Sequence, residues 1–247
     1  MVAGGPIATI LLASIAGILV RNFSDPPTWL SSFWWINLFL LLSTMLPTKG
    51  INKSDIPSIW RLLHDPEASR SWIAVLQVQS QEAAGVLPRD WDPELVALML
   101  RADPKTGDNA ARQMLAFYRR IDEGEEAAAL QHLELALSAS ANCGRAVRQW
   151  CFLEAACSSA LLRHSPSAAR TWVARAVKIA KPASLHSIDA AIAQSEHRYS
   201  DALQLWDATL AYLAKRKTDS GLVRSVKARI VEYREQCRTA MSRSATA

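Results

Sequence analysis

The chain has 247 residues, half of them hydrophobic, and a formal net charge of +5. The basic residues are spread along the C-terminal half, and no recognition motif or set of stacking aromatics accompanies them, so we expect no nucleic-acid partner. The sequence has no glycine-rich phosphate loop, no nucleophile elbow and no convergent spacing of histidines with carboxylates, which argues against a soluble enzyme.

Two uncharged apolar segments, residues 3–20 and 29–46, lie near the N-terminus. A helix of about 18 residues spans about 27 Å, close to the hydrocarbon thickness of a bilayer. The first segment lacks the basic start and the cleavage site of a signal peptide. We therefore predict a retained transmembrane hairpin over residues 1–48, although two buried helices of a soluble protein are an alternative. The second segment also has tryptophans near its start and lysines after its end, as at the two interfaces of a membrane: Trp29, Trp34, Trp35, Lys49 and Lys53.

The charges that flank these segments predict the orientation of the hairpin. Basic residues follow the second segment closely, whereas the loop between the segments has Arg21 balanced by Asp25. Because basic residues stay on the cytoplasmic side, we expect an integral protein of the inner or plasma membrane, with the lipid bilayer as a partner and the C-terminal part in the cytoplasm. We also expect reduced, buried thiols in that part, since its cysteines form no C-x-x-C pair: Cys143, Cys151, Cys157 and Cys237.

Small residues are frequent in the first segment. Small side chains let a second helix approach closely, so we expect a helix to pack against this face. The alternative is that small residues simply tolerate lipid. The residues concerned are Gly4, Gly5, Ala8, Ser14 and Gly17.

A polar loop over residues 49–65 follows the hairpin and contains one isolated carboxylate, Asp55. Residues 57–63 are predicted to form a short helix. A carboxylate at a helix start is stabilised by the free N–H groups and by the helix dipole. From the residues alone, Asp55 is therefore interpreted as a helix cap.

The stretch 66–104 is predicted to form a linking pair of helices. Asp65-Pro66 and Asp92-Pro93 each combine a capping carboxylate with proline at the first helical position, and Gly85 ends the first helix. Strand signals are nearly missing, because apolar and polar residues never alternate for long. The expected fold class is therefore all-α.

Residues 105–247 repeat a pattern of paired helices. In the second helix of each pair a small residue precedes a larger one by four positions, and these small residues, Ala129, Ala169 and Ala202, lie 40 and 33 residues apart. This period resembles that of tetratricopeptide repeats, whereas an irregular helical bundle is the alternative. Residues 223–238 would form a C-terminal capping helix. A repeat stack offers a groove to a protein or peptide partner.

Three short motifs lie in and after the hairpin: Gly4-Gly5-Pro6-Ile7-Ala8-Thr9, then Leu46-Pro47, then Ser54-Asp55. Their order resembles the C-terminal part of bacterial site-2 protease-like intramembrane metallopeptidases of the M50 type. The resemblance implies a packing role for Gly5 and Pro6 in the membrane core and makes Asp55 a candidate zinc ligand. The H-E-x-x-H helix of that family, which supplies two ligands and the general base, does not occur in this sequence.

These features leave two hypotheses for the function. The first is a membrane-anchored, non-catalytic remnant or fragment of a site-2 protease-like protein that presents a helical-repeat interaction module; it assigns no catalytic residue and no cofactor. The alternative is the C-terminal portion of an active intramembrane zinc endopeptidase whose H-E-x-x-H helix lies upstream or on another chain. Zinc is expected only in the second case, because a catalytic zinc needs three protein ligands and Asp55 provides one.

Overall fold

A computed structural model describes residues 4–45, 64–106, 108–179, 185–215 and 219–246. Every regular element within these ranges is helical, so the predicted all-α fold class is confirmed. The chain divides into two compact units, Met1–Ser69 and Arg70–Ala247.

The first unit contains a hairpin of two helices, α1 (Gly4–Asn22) and α2 (Thr28–Met45). Small side chains of α1 form the contact, since Ala13 and Ala16 are buried. A Cβ added at Gly17 would lie 2.9 Å from the indole nitrogen of Trp34. The close approach expected at Gly17 is therefore made by α2.

Large apolar side chains are exposed on this hairpin. Fourteen of them are exposed in α1, α2 and the turn between them, whereas the described residues from 64 onward expose seven. Among the described residues, no helix combines the length and the apolarity needed to cross a membrane. The fourteen side chains are Ile10, Leu11, Leu12, Ile15, Ile18, Leu19, Phe23, Trp29, Phe33, Trp35, Ile36, Phe39, Leu40 and Leu42.

The described residues after the hairpin form nine further α-helices. In chain order these helices are α3 (Pro66–Ala83), α4 (Pro93–Leu100), α5 (Asn109–Asp122), α6 (Glu126–Ala139), α7 (Arg145–Leu161), α8 (Pro166–Ile179), α9 (His186–Ser195), α10 (Tyr199–Ala214) and α11 (Gly221–Thr246).

Local capping sets the ends of α3 and α4 as the sequence predicts. Asp65 Oδ1 accepts a hydrogen bond from the N–H of Ala68 at 2.9 Å, and Asp92 Oδ1 accepts one from the N–H of Glu94 at 2.8 Å. Gly85 follows α3 with a φ of 87°, a left-handed conformation that glycine adopts without a Cβ clash.

A buried arginine joins α3, α4 and α5. Arg112 is 1% exposed, and its Nη2 contacts Asp108 Oδ2 at 2.7 Å. Its Nη1 donates to Ser71 Oγ at 3.0 Å and to the carbonyl of Met99 at 3.3 Å. The buried charge is thus paired with the residue that precedes α5 and hydrogen-bonded to both neighbouring helices.

Helices α5 to α10 pack as three successive pairs, α5 with α6, α7 with α8, and α9 with α10. The three aligned alanines Ala129, Ala169 and Ala202 are fully buried. All three lie within the buried hydrophobic clusters of the second unit.

Helix α11 packs on α10 and extends beyond the predicted range 223–238. After Gly221 the segment contains no glycine or proline up to Thr246, so nothing in the sequence ends the helix earlier. Ile230 and Cys237 enter the core that α7 to α10 share. The helix therefore belongs to the packed structure of the second unit.

Candidate functional site

The structure describes two of the three residues selected by family resemblance. Asp55, the candidate zinc ligand, lies outside the described residues, and Gly5 and Pro6 fall within α1. Among the described residues, no group of three or more histidine, cysteine, aspartate or glutamate side chains could hold a metal ion.

Three histidines of the second unit occupy structural positions. His132 Nδ1 lies 2.7 Å from Gln113 Oε1, an acceptor, so this nitrogen donates a hydrogen bond between α6 and α5. Burial lowers the pKa of His132, and the nearby charge of Arg120 lowers it further. His164 and His197 lie in turns between paired helices, with positive φ values of 47° and 60°.

One cavity of the second unit has a volume of about 210 Å³ and is bounded by α5, α7, α9, α10 and α11. Aromatic and aliphatic side chains form most of its wall. A carboxyl group, a guanidinium and a thiol also line it, from Glu154, Arg229 and Cys157. An apolar cavity with a few converging polar groups is the usual form of a ligand site.

A hydrogen-bonded chain orients the carboxyl group of Glu154. The hydroxyl of Tyr118 donates to Glu154 Oε1, and Trp150 Nε1 donates to the Tyr118 oxygen at 2.9 Å. The rings of Tyr118 and Trp150 are stacked, with centroids 5.8 Å apart. Burial raises the pKa of Glu154, while the hydrogen bond from Tyr118 and the charge of Arg229 oppose the rise. Burial, followed by the charge of Glu154, raises the pKa of Tyr118.

The guanidinium of Arg229 is the cation of the cavity wall. Its Nε is buried and has no hydrogen-bond partner in the described part of the chain. Arg229 and Glu154 line the same cavity, and the charge of Arg229 lowers the pKa of Glu154. Their side chains form no ion pair within 4.0 Å among the described residues. Part of the hydrogen-bonding capacity of Arg229 therefore remains unused.

The thiol of Cys157, which lines the cavity, has low nucleophilic reactivity. Burial raises the pKa of Cys157 to about 12, and the charge of Glu154 acts in the same direction. A thiolate is the nucleophilic form of cysteine, so a thiol with this pKa reacts slowly at neutral pH. All four cysteines are free; the expected burial holds for two of them and is wrong for the other two. Cys151 and Cys237 are buried, whereas Cys143 and Cys157 are half-buried.

No family model, curated protein or solved structure matches the chain. The resemblance to site-2 protease-like metallopeptidases therefore stays a prediction from the sequence motifs. The cavity and its polar groups are the best-defined candidate site among the described residues.

Sequence reasoning missed this site, although one signal for it was present. Glu154 is the only charged residue between Arg148 and Arg163, and residues 150–162 are otherwise apolar or small. A lone carboxylate on a core helix needs a buried partner, and here that partner is Tyr118. Arg229 gave no comparable signal, because α11 contains many basic residues.

Proposed function

We propose that this chain is a membrane-associated, non-catalytic protein. In this proposal the hairpin α1–α2 is embedded in a lipid bilayer as a membrane anchor, and the second unit is a tetratricopeptide-like module that binds a protein or peptide partner. The excess of lysine and arginine after the hairpin supports placing the second unit on the cytoplasmic face of the inner or plasma membrane.

The observation behind the lipid contact is the exposure of the fourteen large apolar side chains of the hairpin. Burying one such side chain contributes about 1.5–3 kcal/mol, so leaving this many in water is costly. An apolar surface of this extent indicates contact with a membrane or another protein. Trp29, 69% exposed at the start of α2, has the amphipathic ring typical of a membrane interface.

A partner-binding role for the second unit is supported by its pairwise helix packing and by a shallow groove. The groove has apolar residues of α8 and α10 on its floor, with Arg170 and Arg198 among its lining residues. Stacked helix pairs form extended grooves that accept peptides or helices. Val173, Val177 and Leu205 would contact the apolar side chains of such a ligand.

Flotation with vesicles of phosphatidylethanolamine and phosphatidylglycerol tests the lipid contact. The full chain should float with the vesicles and resist extraction by carbonate. Replacing Ile15, Trp35 and Phe39 together by aspartate should lower the partition into vesicles more than about a hundredfold, because each aspartate costs about 2.5–3.5 kcal/mol at the centre of a membrane helix.

A control replaces three exposed apolar residues of the second unit by aspartate: Ile73, Leu135 and Val231, which are 42%, 50% and 46% exposed. This variant should float like the parent chain. Equal loss of flotation in both triple variants, or no flotation of the parent, would contradict the proposal.

The partner is tested by affinity capture with residues 66–247 as bait. We expect a reproducible partner whose retention falls when Val173 and Val177 are replaced by aspartate. Capture that yields no reproducible partner, or a partner indifferent to these substitutions, counts against the groove.

A further inference from the structure

The cavity of the second unit has the size of a small organic molecule. Its volume is about 210 Å³. A cavity of about 150 Å³ in another protein stays dry and binds benzene, so the present one accommodates a group at least as large as a phenyl ring. Phe117, Trp150, Trp206 and Tyr233 provide flat aromatic surfaces around it.

The polar groups of the wall have opposite charges and do not neutralise each other directly. Glu154 and Arg229 both line the cavity but form no ion pair within 4.0 Å among the described residues. The buried Nε of Arg229 has no hydrogen-bond partner there. Both side chains are half-buried, so their charges are partly removed from water without direct pairing, and a ligand with complementary charges would relieve that cost.

We propose that this cavity binds a small zwitterion with an apolar body, of the class of the aromatic amino acids. The carboxylate of the ligand pairs with Arg229, its protonated amine with Glu154, and its ring lies among the aromatic side chains of the wall. This site is independent of the lipid and partner contacts proposed above.

The arrangement of the wall explains why both charges of the ligand matter. Arginine binds a carboxylate through two parallel N–H donors, and these charge-assisted bonds are stronger than neutral ones. Tyr118 donates to Glu154 from outside the cavity lining and so holds the carboxyl group in place. A ligand with one charge leaves either Glu154 or Arg229 without its counterpart.

Isothermal titration calorimetry of the full chain in lipid nanodiscs tests the proposal with three related probes. L-phenylalanine has both charges, 3-phenylpropanoate has the carboxylate alone, and 2-phenylethylamine has the amine alone; empty nanodiscs correct for partition into lipid. We expect phenylalanine to bind at least tenfold more tightly than either analogue. Equal affinity for phenylalanine and one analogue, or no binding of any probe, would overturn the proposal.

Substitutions assign the two contacts. Arg229→Met should weaken phenylalanine binding at least tenfold while leaving the affinity for 2-phenylethylamine nearly unchanged, and Glu154→Gln should do the converse with 3-phenylpropanoate. Arg175→Met and Glu134→Gln, at exposed positions outside the cavity lining, are the controls and should bind like the parent. Uniform loss in all four variants would overturn the assignment.

A measurement on the chain without substitutions tests occupation of the cavity even if the variants do not fold. Phenylalanine should slow the alkylation of Cys157, which lines the cavity, and leave that of Cys143, which does not line it, unchanged. Mass spectrometry of the modified peptides gives both rates. Equal rates at Cys157 with and without phenylalanine would contradict occupation of the cavity.

Discussion

Arg112 is an arginine placed in the core of the second unit, where its partners decide whether its charge is tolerated. Asp108 pairs with its Nη2, and Ser71 Oγ and the Met99 carbonyl accept hydrogen bonds from its Nη1. We predict that Arg112→Met lowers the free energy of unfolding by about 3–5 kcal/mol, because it leaves a buried carboxylate uncompensated. Urea unfolding in a mild detergent, followed by tryptophan fluorescence, measures this loss.

The control for Arg112 is Arg163→Met. Arg163 pairs with Glu134 at 2.5 Å, but both side chains are about half exposed, so its loss should cost less than about 1 kcal/mol. Replacing Arg112 and Asp108 together by Met and Leu should cost less than Arg112→Met alone. A double variant less stable than the single one would contradict the role of the uncompensated charge.

Glu154 makes the stability of the second unit depend on pH. Burial raises its pKa in the folded state, so the folded form binds the proton more tightly than the unfolded form. Its favourable contribution is therefore present below the unfolded pKa of about 4.3 and is lost as pH rises through the folded pKa. We predict that the free energy of unfolding of Glu154→Gln, minus that of the parent, increases from about pH 5 to about pH 8.

Subtracting the two free energies of unfolding cancels the contributions of titratable groups that the variant and the parent share. Glu134→Gln, a surface substitution, should give a difference with little dependence on pH. A difference for Glu154→Gln that stays constant or decreases with pH would show that its folded-state pKa is not raised.

At the scale of the elements, two glycines are required for different reasons: Gly221 for a close contact and Gly124 for its backbone conformation. A Cβ at Gly221, the first residue of α11, would lie 1.7 Å from the carbonyl oxygen of Val86, whereas a Cβ at Gly124 would meet nothing within 4 Å. We predict that Gly221→Ala costs more than about 2 kcal/mol, because the start of α11 must move. Gly124→Ala should cost about 1 kcal/mol, for its positive φ alone.

Urea unfolding of both glycine variants checks this order. Gly124→Ala has the cost of a positive φ and no new contact, so a larger loss for Gly221→Ala reports the contact with Val86. Equal losses would contradict a close approach of α11 to the turn after α3.

The helices and their ends could be predicted from the sequence because their determinants are local. Asp65, Asp92 and Gly85 act within a few residues of their own positions, and all three have the predicted roles. Two features could not be predicted in this way. One is the contact of Gly221 with Val86, and the other is the position of Glu154 and Arg229 in the wall of one cavity. They join residues far apart in the chain, and no local pattern specifies which helices will meet.

At the scale of the whole molecule, apolar exposure differs between the two units. Fourteen large apolar side chains are exposed on the hairpin and seven among the described residues from 64 onward. We predict that residues 66–247, which contain three buried hydrophobic clusters of their own, stay monodisperse in detergent-free buffer. The full chain should need detergent or lipid under the same conditions.

Size-exclusion chromatography with light scattering measures both species. Adding the Ile15, Trp35 and Phe39 aspartate substitutions to the full chain should reduce its need for detergent. Aggregation of residues 66–247, or a monodisperse full chain without detergent, would contradict the assignment of apolar exposure to the hairpin.

The contact between Gly221 and Val86 also affects folding during synthesis. Gly221 follows Val86 by 135 residues, which take about 7–27 s to synthesise at about 5–20 residues per second. Until α11 emerges from the ribosome, the core residues that it covers stay open to water and to other nascent chains. Translation speed and chaperone supply over this interval should therefore influence the yield of folded protein.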